Sequence, residues 1–170
     1  MQEEKVRIEG KVIKYGDNIN TDEIIPARYL NTSDSKELAK HCMEGLDKDF
    51  LAKVKEKSII VAGRNFGSGS SREHAPIALK EAGTRCIIAA SFARIFFRNA
   101  INIGLPVVEC REAVKNLQEG DRIKVNIFEG KIYNLTRKKS YCTASFPPFL
   151  QRLIREGGLD SYVKEKMRDE

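Results

Sequence analysis

A short run rich in glycine and serine contains the residues best suited to chemistry. Within the run 63–74, Ser70, Ser71 and Arg72 occupy consecutive positions, preceded by Gly67 and Gly69. A glycine-rich turn between a strand and a helix directs backbone N–H groups and a helix N-terminus toward one point, which favours an anion. The hydroxyls and the guanidinium add hydrogen-bond donors. The pattern therefore predicts an anion-binding site.

A purely structural interpretation of the same run also stands. Ser70 and Glu73 have the spacing of a capping box, in which the serine accepts a bond from the helix and the glutamate reaches back. Arg72 would then lie in the first turn of the helix, where a cation is unfavourable by about 0.3–1 kcal/mol. Either an anion offsets this charge, or Ser70 only caps the helix and Arg72 points into water.

Regular elements must position this run on both sides. The apolar run 58–62 predicts a buried strand, and 76–82 predicts a helix that ends at Gly83. The run 86–90 predicts a second strand, and a helix over 91–102 is predicted to begin with Ser91 as its cap. On that helix Arg94 and Arg98 share a face. They form either surface ion pairs or a contact with a partner chain.

The rest of the chain predicts a mixed α/β domain with helices packed on a sheet. The segment 19–32 is predicted as an ordered loop, since Pro26 lacks an amide hydrogen. Ser33–Ser35 offer an N-cap for a following helix. Strands are predicted over 6–15, 106–109, 123–127, 132–137 and 140–146, with a final helix around 149–154. We expect one domain over 1–170, with a frayed tail over 163–170.

Composition excludes several classes of protein. The 170 residues carry a net charge of +6, with lysine and arginine spread along the chain. This spread argues against nucleic-acid binding. No apolar run approaches the roughly 18 residues of a membrane span, so no membrane association is expected. The first five residues lack the features of a signal peptide, which predicts a cytoplasmic location.

The cysteines and histidines give no metal-binding pattern. Cys42, Cys86, Cys110 and Cys142 lie far apart in sequence, without a Cys-x-x-Cys pair, and the two histidines have no ligand spacing. Cys86 lies in an apolar run and is predicted to be a core residue. We therefore predict that this chain holds no metal and no iron–sulfur cluster.

Three blocks of the sequence resemble the swivel domain of the aconitase superfamily. The blocks are 16–30, 63–76 and 91–102. Their order and spacing are most similar to the free-standing small subunits of 3-isopropylmalate dehydratases, with the small subunits of homoaconitase and 2,3-dimethylmalate dehydratase as near relatives. The resemblance covers nearly the whole chain. It implies an α/β fold with a single swivel-type β/β/α domain and a mixed sheet.

The resemblance also implies a chemistry. Members of this family remove water from a hydroxy acid and add it back with the hydroxyl on the neighbouring carbon. Carried over, Ser70 would remove the proton from carbon, and Asp22 would orient groups or relay protons. Arg72 would bind a substrate carboxylate, and Ser71 would donate a hydrogen bond. A [4Fe–4S] cluster on a large subunit would act as Lewis acid, so the resemblance implies that partner and a hydroxy-dicarboxylate substrate.

The loop after the Asp22 motif faces the variable part of the substrate in this family. The resemblance makes Arg28, Leu30, Asn31 and Thr32 candidate substrate-binding residues. Small subunits of homoaconitase resemble this loop with arginine at position 31, which can pair with an extra carboxylate. An unpaired carboxylate in a closed site is costly. Asn31 therefore favours isopropylmalate in leucine biosynthesis, with homoaconitate and dimethylmalate as alternatives.

Two other classes of function compete with this interpretation. A nucleotide- or phosphate-binding module would use the pair Gly67 and Gly69 after a strand, but Arg72 stands where its third glycine belongs. A purely structural or regulatory subunit would leave Ser70 and Arg72 dispensable. Nucleotide binding and the activity of variants in a reconstituted complex separate the three possibilities.

Overall fold

One seven-stranded mixed sheet organises the protein, whose computed structural model describes residues 7–170. The strands are β1 (Arg7–Lys14), β2 (Ile59–Ala62), β3 (Cys86–Ala89), β4 (Val107–Glu109), β5 (Arg122–Asn126), β6 (Lys131–Asn134) and β7 (Lys139–Cys142). Their order in the sheet is β4-β3-β2-β1-β5-β6-β7. The predicted mixed α/β fold is thus confirmed. The strand predicted from position 6 begins with Val6, which lies outside the described residues.

The first half of the sheet is parallel. β1 pairs with β2, β2 with β3, and β3 with β4, all in the same direction. Every residue of β2 and β3 is buried. Parallel strands covered on both faces are typically continuous apolar runs, which is why 59–62 and 86–89 contain only apolar residues.

The second half of the sheet is antiparallel. β1 also pairs with β5, and β5, β6 and β7 follow as a meander. Its strands alternate between inward and outward residues, as expected when one face meets the core. Asp121 stabilises the segment that leads into β5. Its Oδ2 accepts hydrogen bonds from the backbone N–H of Gln118 and from the side chains of Asn134 and Arg137.

Eight α-helices flank the sheet among the described residues. They are α1 (Thr21–Ile24), α2 (Ser35–Lys40), α3 (Phe50–Glu56), α4 (His74–Ala82), α5 (Arg94–Asn102), α6 (Arg111–Asn116), α7 (Pro148–Glu156) and α8 (Leu159–Arg168), and a 3-10 turn covers Ala27–Tyr29. α4 packs between α2 and α5, and α5 in turn packs on α7. No helix of residues 7–170 is long and apolar enough to cross a membrane.

Several local predictions are wrong. The ordered loop predicted over 19–32 contains α1 and the 3-10 turn. No element was predicted where α3 lies; this helix buries Phe50 and Val54. The tail over 163–170 stays a prediction as to fraying; its residues up to Arg168 belong to α8, which has no buried residues. Ser91 is not the cap of α5, which begins after Ala93.

Candidate active site

Three segments meet where the parallel strands end. They follow β1, β2 and β3 and correspond to 15–25, 63–73 and 90–96. Isolated bridges join Asn20 to Ser68 and Phe66 to Phe92, so the segments pair directly with one another. The carboxyl ends of parallel strands lie at the same edge of a sheet, and this edge is where ligands commonly bind in α/β folds. The three sequence blocks singled out above are therefore neighbours in space.

Backbone hydrogen bonds fasten the glycine–serine loop to the segment after β1. The N–H of Gly67 donates to the carbonyl of Ile19 at 2.7 Å, and the N–H of Thr21 donates to the carbonyl of Ser68 at 2.8 Å. At the start of the loop, the carboxylate of Asp17 accepts from the N–H of Arg64 at 2.7 Å. Two of these three hydrogen bonds join backbone groups only, so most side-chain substitutions in the loop would leave them in place.

Gly67 allows the loop to lie directly on α5. Its φ is +82°, and a Cβ at this position would come within 2.2 Å of the ring of Phe96. Only glycine adopts this conformation without cost and leaves that space. Phe96 in turn contacts Phe66 edge-on, at 5.3 Å between ring centroids. The loop and the first turn of α5 therefore form one packed unit.

Arg72 and Asp22 form an ion pair across the site. The Nη1 of Arg72 donates to Oδ1 of Asp22 at 2.5 Å and to the carbonyl of Ile25 at 3.3 Å. The side chain of Arg72 is only 14% exposed, whereas that of Asp22 is 65% exposed. The structure thus brings two of the predicted site residues together, although they lie 50 positions apart.

The predicted capping box at Ser70 is wrong. α4 begins at His74, its N-cap is Glu73, and no side chain caps it. Arg72 therefore precedes the helix, and its charge is matched by Asp22 rather than opposed by a helix dipole. Ser70 and Ser71 are exposed. The Oγ1 of Thr21 donates to the backbone carbonyl of Ser70 at 3.0 Å and so fixes the loop behind the hydroxyl.

A cleft of about 160 Å³ opens beside the two serines. Its lining comes from Thr21, from the loop residues Gly67, Gly69, Ser70, Ser71 and Arg72, and from Ala93, Arg94, Ile95 and Phe96 of the segment that begins α5. The polar part of this lining comes from the hydroxyl residues Thr21, Ser70 and Ser71 and from Arg72 and Arg94. The arrangement suits a small, anionic ligand with an apolar part, because Ile95 and Phe96 add apolar lining to the same cleft.

The predicted substrate loop lies elsewhere. Arg28 pairs with Glu44 at 3.0 Å, and its guanidinium lies 4.8 Å from the ring centroid of Tyr29. Asn31 is exposed, and Leu30 is half-buried against the core. The hydroxyl of Thr32 accepts a hydrogen bond from the backbone N–H of Asp34. Arg28, Leu30, Asn31 and Thr32 do not line the cleft. They reach a substrate there only if it extends beyond this chain's own cleft.

The four cysteines do not suit an iron–sulfur cluster. Cys42, Cys86 and Cys110 are buried, and Cys142 is exposed. Burial raises the pKa of the Cys42 thiol and raises that of Cys86 to about 12, whereas cluster ligands are thiolates. Within residues 7–170, no three histidine, cysteine, aspartate or glutamate side chains come together as a metal site.

Sequence reasoning missed two contributors to the site. Thr21 supports Ser70 through its hydroxyl, and Arg94 lines the cleft. Arg94 was expected to form a surface ion pair or a partner contact, but no carboxylate of the described residues pairs with it. The available signal was the position of Arg94 directly after a buried strand and a short turn, since such positions meet at the same sheet edge.

The site segments fall within a known family. The family model for the aconitase C-terminal domain matches residues 7–113. This match contains all three segments of the site and both members of the Arg72–Asp22 pair.

Full-length relatives carry a more specific description. The chain is 60% identical to a 3-isopropylmalate dehydratase small subunit of Caldanaerobacter subterraneus subsp. tengcongensis, over 95% of this chain and 100% of the relative. It is also 60% identical to one of Caldicellulosiruptor saccharolyticus, over 94% of this chain and 92% of the relative. A crystal structure of a 3-isopropylmalate dehydratase from Methanocaldococcus jannaschii matches with a TM-score of 0.88, at 42% identity and 95% coverage of both chains.

Proposed function

The chain belongs to the family of 3-isopropylmalate dehydratase small subunits, and we propose that it contributes the groups that move the proton and bind a carboxylate. The reaction removes water from 2-isopropylmalate and adds it back to give 3-isopropylmalate, a step of leucine biosynthesis. The chain works in the cytoplasm, in a complex with a large subunit.

The observation that carries this proposal is the Arg72–Asp22 pair beside two exposed serines. Arg72 is largely buried and held by Asp22 and the Ile25 carbonyl through one nitrogen. Its other N–H groups remain available for a planar carboxylate. A positioned guanidinium next to accessible hydroxyls is the donor set that a hydroxy acid requires.

Each side chain of this set has a distinct role in the proposal. Ser70, as its alkoxide, accepts the proton from the substrate carbon and becomes a hydroxyl, and Arg72 binds the neighbouring carboxylate. Because removal of that proton places negative charge next to the carboxylate, Arg72 stabilises the transition state more than the ground state. Ser71 donates a hydrogen bond to the substrate, and Asp22 fixes the orientation of Arg72.

The leaving hydroxyl needs a group that this chain does not provide. The buried cysteines do not fit a [4Fe–4S] cluster, so we assign the cluster to the large subunit, where it would supply Lewis-acid chemistry for the leaving hydroxyl. The cleft is small and open on this chain. A large subunit that covers it would exclude water and bring the cluster to the substrate.

The shape of the cleft supports a substrate with an apolar substituent. Ile95 is 48% exposed at its wall, so an isopropyl group in contact with it would leave water. Leu30, Asn31, Thr32 and Arg28 lie outside the cleft and would contact the substrate only within the assembled complex. Homoaconitate and 2,3-dimethylmalate are the alternative substrates.

Reconstitution with the large subunit tests the function. The two chains are co-expressed, purified without oxygen and assayed with 2-isopropylmalate, homoaconitate and dimethylmaleate. The proposal expects turnover to be greatest with 2-isopropylmalate and expects each separate chain to be inactive. A preference for homoaconitate would contradict the substrate assignment. Activity of this chain alone, or a stoichiometric cluster bound by its cysteines, would contradict the division of roles.

A further inference from the structure

We propose that Arg94 binds the second carboxylate of the substrate, opposite the one bound by Arg72. This proposal rests on the proposed function and extends it to a residue at the start of α5. Isopropylmalate carries two carboxylates, and one guanidinium that is already paired with Asp22 cannot neutralise both. The second carboxylate needs another cation within the same small space.

The placement of Arg94 is the first step of the argument. The cleft of about 160 Å³ has Ser70, Ser71 and Arg72 on one side and the first turn of α5 on the other. Arg94 is the first residue of α5 and lines the cleft. The two arginines therefore line the same cleft, one from the glycine–serine loop and one from α5.

The charge balance of the cleft is the second step. The positive charge of Arg72 is matched by Asp22. Among the described residues, Arg94 has no ion pair, and it occupies the start of a helix where a cation is mildly unfavourable. Its N-cap, Ala93, offers no side-chain bond to the helix. The free cleft thus carries a net positive charge that a carboxylate would balance.

Arg98 serves to distinguish an effect of position at the cleft from a general effect of positive charge on α5. Arg98 lies one turn further along α5 and is exposed like Arg94, but it does not line the cleft. Both residues carry the same charge on the same helix. If only Arg94 affects substrate affinity, the cause is its position at the cleft rather than a general attraction of anions to α5.

The experiment measures inhibition of the assembled two-subunit enzyme. The dicarboxylate 2-isopropylsuccinate lacks the leaving hydroxyl, and each of its two monoamides lacks one carboxylate. Inhibition constants for the three compounds, together with kcat and KM for 2-isopropylmalate, are compared among wild type, Arg94→Gln, Arg94→Lys and the control Arg98→Gln. The concentration of the large subunit is varied up to saturation in each case.

The proposal expects a selective loss in Arg94→Gln. Inhibition by the dicarboxylate should weaken roughly 10- to 100-fold, as for the loss of a charge-assisted hydrogen bond. One monoamide should be almost insensitive to the substitution, because it lacks the carboxylate that Arg94 binds, and the other should weaken like the dicarboxylate. Arg94→Lys should retain part of the affinity, and Arg98→Gln should match wild type.

Three results would overturn the proposal. Equal weakening of both monoamides would show that Arg94 does not bind one particular carboxylate. Recovery of wild-type constants at saturating large subunit would show that Arg94 contacts the partner instead. Unchanged constants in an active complex would remove Arg94 from the site and leave the proposed function intact. If the wild-type complex has no activity on 2-isopropylmalate, the proposed function itself fails and this proposal fails with it.

Discussion

The parallel and antiparallel halves of the sheet differ in what their connections do. In the parallel half, the segments after β1, β2 and β3 all emerge at one edge and form the candidate site. In the antiparallel half, β5, β6 and β7 are joined by short turns, and the polar network at Asp121 lies within the structure rather than at a cleft. The two halves share only β1.

This contrast shows how distant residues become a site. A parallel strand needs a long crossover before the next one, so each carboxyl end delivers a different loop to the same edge. In an antiparallel meander a short turn joins each strand to the next, and successive turns lie at opposite ends of the strands. Substitutions in the loops of the parallel half should therefore change catalysis, and substitutions at Asp121 should change stability.

The largest effect is expected for Ser70→Ala in the assembled enzyme. Removal of a catalytic base lowers the rate by roughly 10²–10⁴-fold, and kcat should fall accordingly. The loop is fastened by backbone bonds at Gly67 and Ser68, so the thermal midpoint should not move. Steady-state kinetics and thermal unfolding give the two measurements. Ser68→Ala is the control in the same loop, and near-normal turnover of Ser70→Ala would contradict its role.

Arg72→Lys should have the next largest effect. Lysine can keep the pair with Asp22, but it lacks the planar fork that holds a carboxylate at the same time. We expect kcat/KM to fall roughly 10- to 100-fold, corresponding to a charge-assisted hydrogen bond. Arg64→Lys is the matched control, because Arg64 also pairs with an aspartate, Asp17, at the start of the loop. Equal losses in both variants would indicate a general requirement for arginine in this loop.

Asp121→Asn should destabilise the chain without changing the chemistry. Three donors share the Oδ2 of Asp121, and loss of the charge weakens each bond. The free energy of unfolding should fall by roughly 1–3 kcal/mol, measured by urea titration, while kcat at 25 °C stays at the wild-type value. Asp49→Asn, on an exposed position, is the control. A loss of kcat in folded Asp121→Asn would break the separation between the two halves.

The same aspartate gives a pH dependence. Burial raises the pKa of Asp121, but the bonds from Gln118, Asn134 and Arg137 outweigh it, so the pKa lies below the usual value. A lowered pKa in the folded state contributes stability that is present above the unfolded pKa of about 3.9 and is lost as the pH falls through the folded pKa. Wild type should therefore lose more stability than Asp121→Asn below about pH 4.

The smallest effect is expected for Asn31→Arg. Asn31 is exposed outside the cleft, so an added charge there acts on an extra carboxylate only from a distance. Exposed pairs contribute about 0.2–1 kcal/mol, and the ratio of kcat/KM for homoaconitate over 2-isopropylmalate should rise by up to about fivefold. Ser33→Arg is the control. If Asn31→Arg leaves this ratio unchanged, the loop has no part in substrate choice.

The sequence predicted the buried strands well, because they depend on a strong local pattern. The apolar runs at β2 and β3 left no alternative to buried strands. α1 also had a signal, since Asn20 and Glu23 have the capping-box spacing and form that box in the structure. It was missed because Pro26 suggested a loop throughout.

The partners of individual side chains could not be predicted. The pair of Arg72 with Asp22 depends on the pairing of β1 with β2, which brings residues from distant parts of the chain together. The bond from Thr21 to Ser70 and the position of Arg94 depend on the same packing. Sequence spacing indicates which residue types are present, but the register of the parallel strands decides which of them meet.

The position of β1 has a consequence for synthesis of the chain. β1 is synthesised before the other described strands, yet one of its edges pairs with β5, where Ile8 meets Val125. Until residues 122–126 have emerged, that edge remains unpaired, and its free backbone N–H and C=O groups can pair with another chain. The sheet should therefore be completed only after β5 has been synthesised.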